Sequence, residues 1–178
     1  MRDMRGAGAR LDGRDPLRHR GAMKIQTRAG IDIASPVERV FDLAVDMARV
    51  SELMTRVGPI PGVVSMEMLD GRSPGAGAQR TVTMSDGSAI VEEILALDRP
   101  LRHAYRWRNP PGPPFSLLVR GAEADWVFTA RDGRARVDWT YTFTLTSFLA
   151  YPLAALVVML FRRWMVNALE RLKRAAAG

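Results

Sequence analysis

The stretch that most constrains the fold is FLAYPLAALVVMLFRRWMVNALERLKR, residues 148–174, strongly apolar at its start and strongly basic at its end. Phe148 to Phe161 are fourteen residues without a charge, about 21 Å of helix at the usual rise. A bilayer core is about 30 Å thick, so a run of this length reads as a buried helix rather than a span. Pro152 then belongs in the first helical turn, where its missing N–H costs nothing. At 100° per residue, Leu153, Val157, Leu160, Phe161, Trp164, Ala168 and Leu172 form one stripe, the pattern of a helix laid on a sheet. Ala155, Leu156, Met159 and Val166 are left on the outer side, an apolar surplus that predicts a second contact with a membrane surface or a homodimer partner.

The residues before this helix supply the sheet. Ala135, Val137, Trp139, Tyr141, Phe143 and Leu145 alternate with Arg136, Asp138, Thr140, Thr142, Thr144 and Thr146, so one face is covered and the other is wet. Upstream, VVSMEML, QRTVTMS, AIVEEILAL, LRHAYRWR and LVRGAEADWVFTA read as five more strands. Asp-Gly pairs at 70–71, 86–87 and 132–133 are hairpin signals between them. The first strand lies in MKIQTRAGIDI, with Ile25, Thr27, Ala29, Ile31 and Ile33 on one face. It is followed by SPVERVFDLAVD, where Ser35 is placed as an N-cap, Pro36 at the first helical position and Glu38 as the closing residue of a capping box. Asp46 is placed to cap a second short helix, MARVSELM. The order is one strand, two short helices, six strands in a meander and one long helix.

Composition removes several functions. The chain of 178 residues has no cysteine, which excludes disulfides, thiolate metal sites and cysteine nucleophiles and fits a cytoplasmic location. Six arginines against three aspartates in residues 1–22 carry +3 of the net +7. The run from Arg162 to Arg174, five cations against Glu170, carries the other +4. The sheet region is near neutral and shows no basic stripe interleaved with aromatics, so nucleic acid is not an expected partner. Residues 1–22 have only Leu11 and Leu17 as sizeable aliphatics. They are expected to form a disordered extension without a secretory signal, with Met23 as the true start, before one folded domain over 23–178.

IDIASPVERVFDLAVD, VEEILALDRPLRHAYRW and the long helix after WTYTFTLT together resemble the START-like helix-grip superfamily (SRPBCC), which includes birch-pollen-allergen-like (Bet v 1-like) proteins and bacterial polyketide cyclase/dehydrase-like proteins. The resemblance spans about residues 23–175. One departure is that MARVSELMTRVG lacks the aromatic residue many bacterial members carry there. The resemblance implies an α+β helix-grip fold, a curved antiparallel sheet of about seven strands around the long helix with an apolar cavity between them. It also implies a small hydrophobic ligand: a lipid, isoprenoid, polyketide or other aromatic molecule.

Alternation agrees with that picture. Trp126, Phe128, Trp139, Tyr141 and Phe143 on the inner face would meet Val157, Leu160, Phe161 and Trp164 of the helix, and Trp107 joins them. Filling an ordinary core is the competing role for each of these side chains. Only two histidines exist, His19 in the extension and His103 in the folded body. His103 and Tyr105 share the inner face with Trp107, which makes them candidates for moving protons or binding a ligand carbonyl. Glu92 and Glu93 take opposite faces, and alternation leaves open which one points inward. A buried carboxylate there needs Arg80 or Tyr105 as its partner, or it stays protonated. The sequence GAG at 75–77 precedes a strand and is a turn, not a nucleotide loop. No metal site or cofactor is expected. NPPGPPFSLL is a loop placed near the cavity entrance, as a lid, as a membrane-touching tip or as edge packing.

Three functions follow in order of weight. The first is a carrier or sensor of a hydrophobic small molecule. The second is a polyketide cyclase, aromatase or dehydratase using His103, Tyr105 and an inward Glu92 or Glu93. The third is a peripheral membrane or protein-interaction module using the last helix.

Overall fold

The computed structural model describes residues 23–110 and 112–178; the expectations for residues 1–22 lie outside the described residues. Seven strands form one antiparallel sheet: β1 (Lys24–Ile33), β2 (Val63–Met68), β3 (Gln79–Met84), β4 (Ala89–Asp98), β5 (Arg102–Trp107), β6 (Val119–Arg131) and β7 (Arg134–Leu145). Their spatial order is β1-β7-β6-β5-β4-β3-β2, a meander closed on one side by the first strand. Between β1 and β2 lie α1 (Val37–Val45), a 3₁₀ turn and α2 (Val50–Leu53). The long helix α3 (Tyr151–Ala177) ends the chain, with Pro152 in its first turn.

The hairpins form where Asp-Gly predicted turns. Gly71, Gly87 and Gly133 all have positive φ, and at the tightest hairpin Asp132 (φ 47°) and Gly133 (φ 73°) join β6 to β7. Two consecutive left-handed residues are what a type I′ hairpin requires. Ladder irregularities at Val63/Ser65, Ile94/Ala96 and Val119/Gly121 bend the sheet into a grip.

The capping box expected at Ser35 is not formed. Helix α1 begins one residue late, with Pro36 at the N-cap and no side-chain cap hydrogen bond. Ser35 is therefore one position too early to cap; it is buried, its own N–H donating to the Ile33 carbonyl at 2.9 Å. The cap expected at Asp46 is present, its carboxylate accepting from Ala48 N at 2.9 Å.

The core lies between the inner sheet face and the helices. Trp139 is fully buried and stacks on Trp126 with ring centroids 4.0 Å apart. Phe41 of α1 meets Phe128 edge-on at 5.1 Å. Helix α3 is rotated from the projected orientation. Phe161, Trp164, Ala168 and Leu172 are buried as expected, and Ala154, Val158, Met165 and Leu169 join them. Leu153 is instead exposed, and Val157 and Leu160 are only half-buried. The cause is that α3 packs chiefly on β1, with α1 and α2 beside it, rather than centrally over the sheet. Space opens between α3 and the β2–β5 half.

Residues 148–177 are apolar enough to pass a length and composition test for a membrane span, with mean hydropathy 1.5 over the best window. The second half of this helix nevertheless supplies Trp164, Met165, Leu169 and Leu172 to the core. Crossing a bilayer would remove them from it.

Candidate functional site: an apolar cavity with a polar floor

The space beside α3 is a cavity of about 290 Å³. Its walls are Val63 and Met66 of β2, Val82 and Met84 of β3, Ile90 of β4, and Val157, Leu160, Phe161 and Trp164 of α3. Trp107 of β5 and Tyr141 of β7 complete the aromatic side. The mouth is framed by Pro59–Pro61, by the β3–β4 turn at Asp86 and Ser88, and by Gly112–Phe115 with Leu118. The proline-rich loop thus sits at the entrance, and Phe115 packs on Trp107 and Phe143 with centroids 6.1 Å away from each.

Strand register builds the floor. Arg80 of β3 stands directly opposite Glu92 of β4, and Glu92 opposite Trp107 of β5. All three of these side chains therefore face the same way. Arg80 donates from Nε at 2.9 Å and from Nη2 at 2.8 Å, both to Glu92 Oε2. Both side chains are about 5 % exposed. Arg80 also lies over the Tyr105 ring, 5.0 Å from its centroid, and its Nη2 is 3.4 Å from His103 Nε2. His103 Nδ1 is 3.3 Å from the Ala96 carbonyl oxygen. A carbonyl accepts only and a guanidinium donates only, so the ring is neutral with its proton on Nδ1. The Tyr105 and Tyr141 hydroxyls are 3.1 Å apart.

This resolves the choice between the two glutamates. Glu92 points inward, and Glu93 points outward to Arg106 at 3.1 Å and Arg108 at 3.3 Å. The irregularity at Ile94/Ala96 explains why alternation was silent. It shifts the register, so Leu97 packs against the core although it shares parity with outward Glu93.

Electrostatics follow from burial. Burial raises the Glu92 carboxyl above its ordinary range, opposed by the charge and hydrogen bonds of Arg80. Burial, reinforced by the positive charge of Arg80, pushes the His103 imidazole down to about 3. Burial raises the Tyr105 hydroxyl, helped by the Glu92 charge, and raises Tyr141 as well. The histidine is neutral throughout the physiological range, its Nε2 lone pair occupied by Arg80.

The other candidates divide between cavity and core. Glu92, Tyr105, Trp107, Tyr141, Val157, Leu160, Phe161 and Trp164 line the large cavity. Arg80, His103 and Trp126, with Tyr105, line a crevice of about 10 Å³ behind the floor, against α2. Phe128, Trp139 and Phe143 line neither and are packed in the core. Sequence reasoning missed Met54, Met66, Met84 and Ile60 in the lining. Met66 and Met84 lie on β2 and β3, Met54 ends α2 and Ile60 is in the following loop; their signal was only a set of methionines, adaptable side chains suited to a variable surface. Among the described residues, no three His, Cys, Asp or Glu side chains gather where they could hold a metal ion.

A bent antiparallel sheet gripping a C-terminal helix, with an apolar cavity between them, defines a helix-grip protein. Residues 24–177 match the family described as polyketide cyclase / dehydrase and lipid transport, and the chain belongs to that family. No curated protein matches the sequence. Among solved structures, the Zhui aromatase/cyclase from Streptomyces sp. R1128 superposes with a TM-score of 0.66 at 15% identity, covering 87% of this chain and 94% of its own. A protein from Thermus thermophilus gives 0.66 at 22% identity, covering 86% and 97%. Ara h 8.0201 gives 0.58 at 15% identity, covering 87% and 99%. At these identities the likeness is one of fold.

Proposed function

We infer that the protein is a carrier or sensor of a small hydrophobic molecule, held between α3 and the β2–β5 half of the sheet. The observation that supports this best is the cavity itself. It is about 290 Å³, with mainly apolar walls, Glu92 and the two tyrosines on its floor and Asp86 and Ser88 at its mouth, near the lower end of the roughly 300–1,000 Å³ of small-molecule sites. The titratable groups of the floor and of the crevice behind it bind one another: Arg80 holds Glu92, His103 is fixed between Arg80 and Ala96, and the two tyrosines share a hydrogen bond. A general base needs a free lone pair near a reacting atom, and His103 is both occupied and behind the floor. Such a network orients a polar end of a ligand better than it moves protons. The ligand class is a lipid, isoprenoid, polyketide or other aromatic molecule. A fold of the soluble type and a chain without cysteine fit a cytoplasmic carrier.

A second reading, a cyclase or dehydratase of a polyketide-like substrate, is favoured by one observation. Glu92 lines the cavity, and burial raises its carboxyl towards the range of a proton-donating acid.

Native mass spectrometry of the purified chain, followed by extraction and identification of what co-purifies, tests both. A stoichiometric hydrophobic adduct returned unchanged supports the carrier. An adduct that loses water on incubation with fresh protein, and does so far more slowly with Tyr105→Phe, supports the enzyme. A bare mass with no binding across a panel of hydrophobic probes would overturn both.

A further inference from the structure

The N-terminal half of α3 buries one face and leaves its opposite face uncovered. Leu149, in the 3₁₀ turn Phe148–Ala150 that leads into the helix, is 76% exposed, and Leu153 and Leu156 follow at helical spacing, each more than half exposed. Met159 extends this face, and Arg163 lies on it one turn further on. Leu117, 69% exposed, belongs to the same corner of the molecule. Its carbonyl accepts from Thr146 Oγ1 at 2.8 Å, just before Phe148. The exposed leucines thus gather along one face of the helix, with a second segment tied to its start by this bond, unlike the scattered exposed leucines of any surface.

Charge selects what could cover it. Segments 110–122 and 146–169 contain Arg120, Arg162 and Arg163 and no aspartate or glutamate. Arg162 turns away from the leucines to donate to the Arg28 carbonyl, so a second copy of this face would bring Arg120 and Arg163 against the same two cations. An anionic bilayer would take the leucines into its acyl boundary and the arginines at its headgroups. The patch also borders the cavity mouth: Leu118 follows Leu117, and Val157 and Leu160 lie one turn or less from Leu156, all three on the cavity wall.

We propose that the corner formed by the N-terminal half of α3 and the Leu117 turn docks on an anionic lipid surface, bringing the cavity mouth to the bilayer. The docking stands on this surface alone; its use for loading and unloading the cavity rests on the carrier reading. The helix lies in the interface rather than across it, because its second half is in the core.

The test is co-sedimentation of the full-length chain with phosphatidylcholine vesicles, with and without phosphatidylserine. Binding is expected to require the anionic lipid. Leu149→Gln with Leu156→Gln should weaken it about tenfold, and Arg163→Gln about fivefold, with thermal unfolding unchanged because these side chains lie at the surface. Wild-type binding by both variants would overturn the proposal. So would a dimer that the double leucine variant dissociates, or retention in membranes through alkaline extraction, which would mean a span. The cavity adduct separates the two readings. Vesicle binding lost with the adduct retained supports docking. Absence of any adduct sinks the carrier and leaves the docking result standing.

Discussion

Arg80 and Glu92 face each other across adjacent strands and form an ion pair of 2.8 Å at the floor of the cavity, both about 5 % exposed. Burying two charges is expensive, and their attraction returns the cost only while both are present. The pair is therefore a joint in the structure, and its worth shows when one half is removed.

Replacing Glu92 by Gln leaves the Arg80 guanidinium buried without a counter-charge. The expected loss is about 3 kcal/mol of folding stability. Arg80→Met with Glu92→Leu removes both charges and should recover most of that loss. Chemical denaturation of the three variants measures it; a double variant as unstable as the single one would show that the pair contributes through packing instead.

His103 makes stability depend on acidity. Its folded value, about 3, lies below the unfolded value of 6.5. The unfolded chain therefore binds the proton first as pH falls. The contribution of His103 is complete above about 6.5 and is lost towards 3, at about 1.4 kcal/mol per pH unit. Glu92 acts in the opposite sense, since its raised value makes the folded state hold a proton at pH values where the unfolded chain has released it. A His103→Gln variant should lose distinctly less stability than the wild type between pH 7 and pH 4. Equal slopes from denaturation at a series of pH values would contradict the buried neutral imidazole.

Leu160 is half-buried on the cavity wall. Leu160→Trp adds bulk inside a space of about 290 Å³, and should cut the affinity for a fluorescent hydrophobic probe at least about tenfold. Stability should change by less than about 1.5 kcal/mol, since the added atoms enter a void and not a packed core. Trp139→Ala is the contrasting case. That side chain is fully buried and stacked on Trp126, and its loss should cost about 3–5 kcal/mol.

Gly62 supports the mouth. A Cβ there would meet Arg56 N at 2.6 Å and the Met54 carbonyl oxygen at 2.9 Å, both backbone atoms that cannot swing aside. Its N–H donates to Ser85 Oγ and its carbonyl accepts from Ser85 N, tying the 54–62 turn to the β3–β4 hairpin. Gly62→Ala should cost about 1–3 kcal/mol and speed amide exchange at Ser85 and Val63. Exchange unchanged at both would show that the turn relaxes without opening.

The strands, the hairpins and the order of elements were legible because they rest on local chemistry. The alternation from Ala135 to Leu145 and the Asp-Gly turns each declare themselves within a few residues. His103 and Tyr105 were placed on the inner face by the same parity. The candidate site was legible only as a list of inward residues, because parity says which face a side chain takes and not whether it meets a neighbour or a void. Trp139 and Trp107 look alike in sequence, yet one is packed against Trp126 and the other borders the cavity.

By itself, the sequence determined an antiparallel meander, a long C-terminal helix and a polar set among the inward side chains. Periodicity and turn residues act over short distances and need no knowledge of the rest of the chain. Only the tertiary structure decided that Glu92 rather than Glu93 meets Arg80, that α3 is rotated to bury Ala154 and Met165 and expose Leu153, and that His103 lies behind the floor. Those outcomes depend on the bulge at Ile94/Ala96 and on the packing of α3 against β1, contacts between residues far apart in the chain.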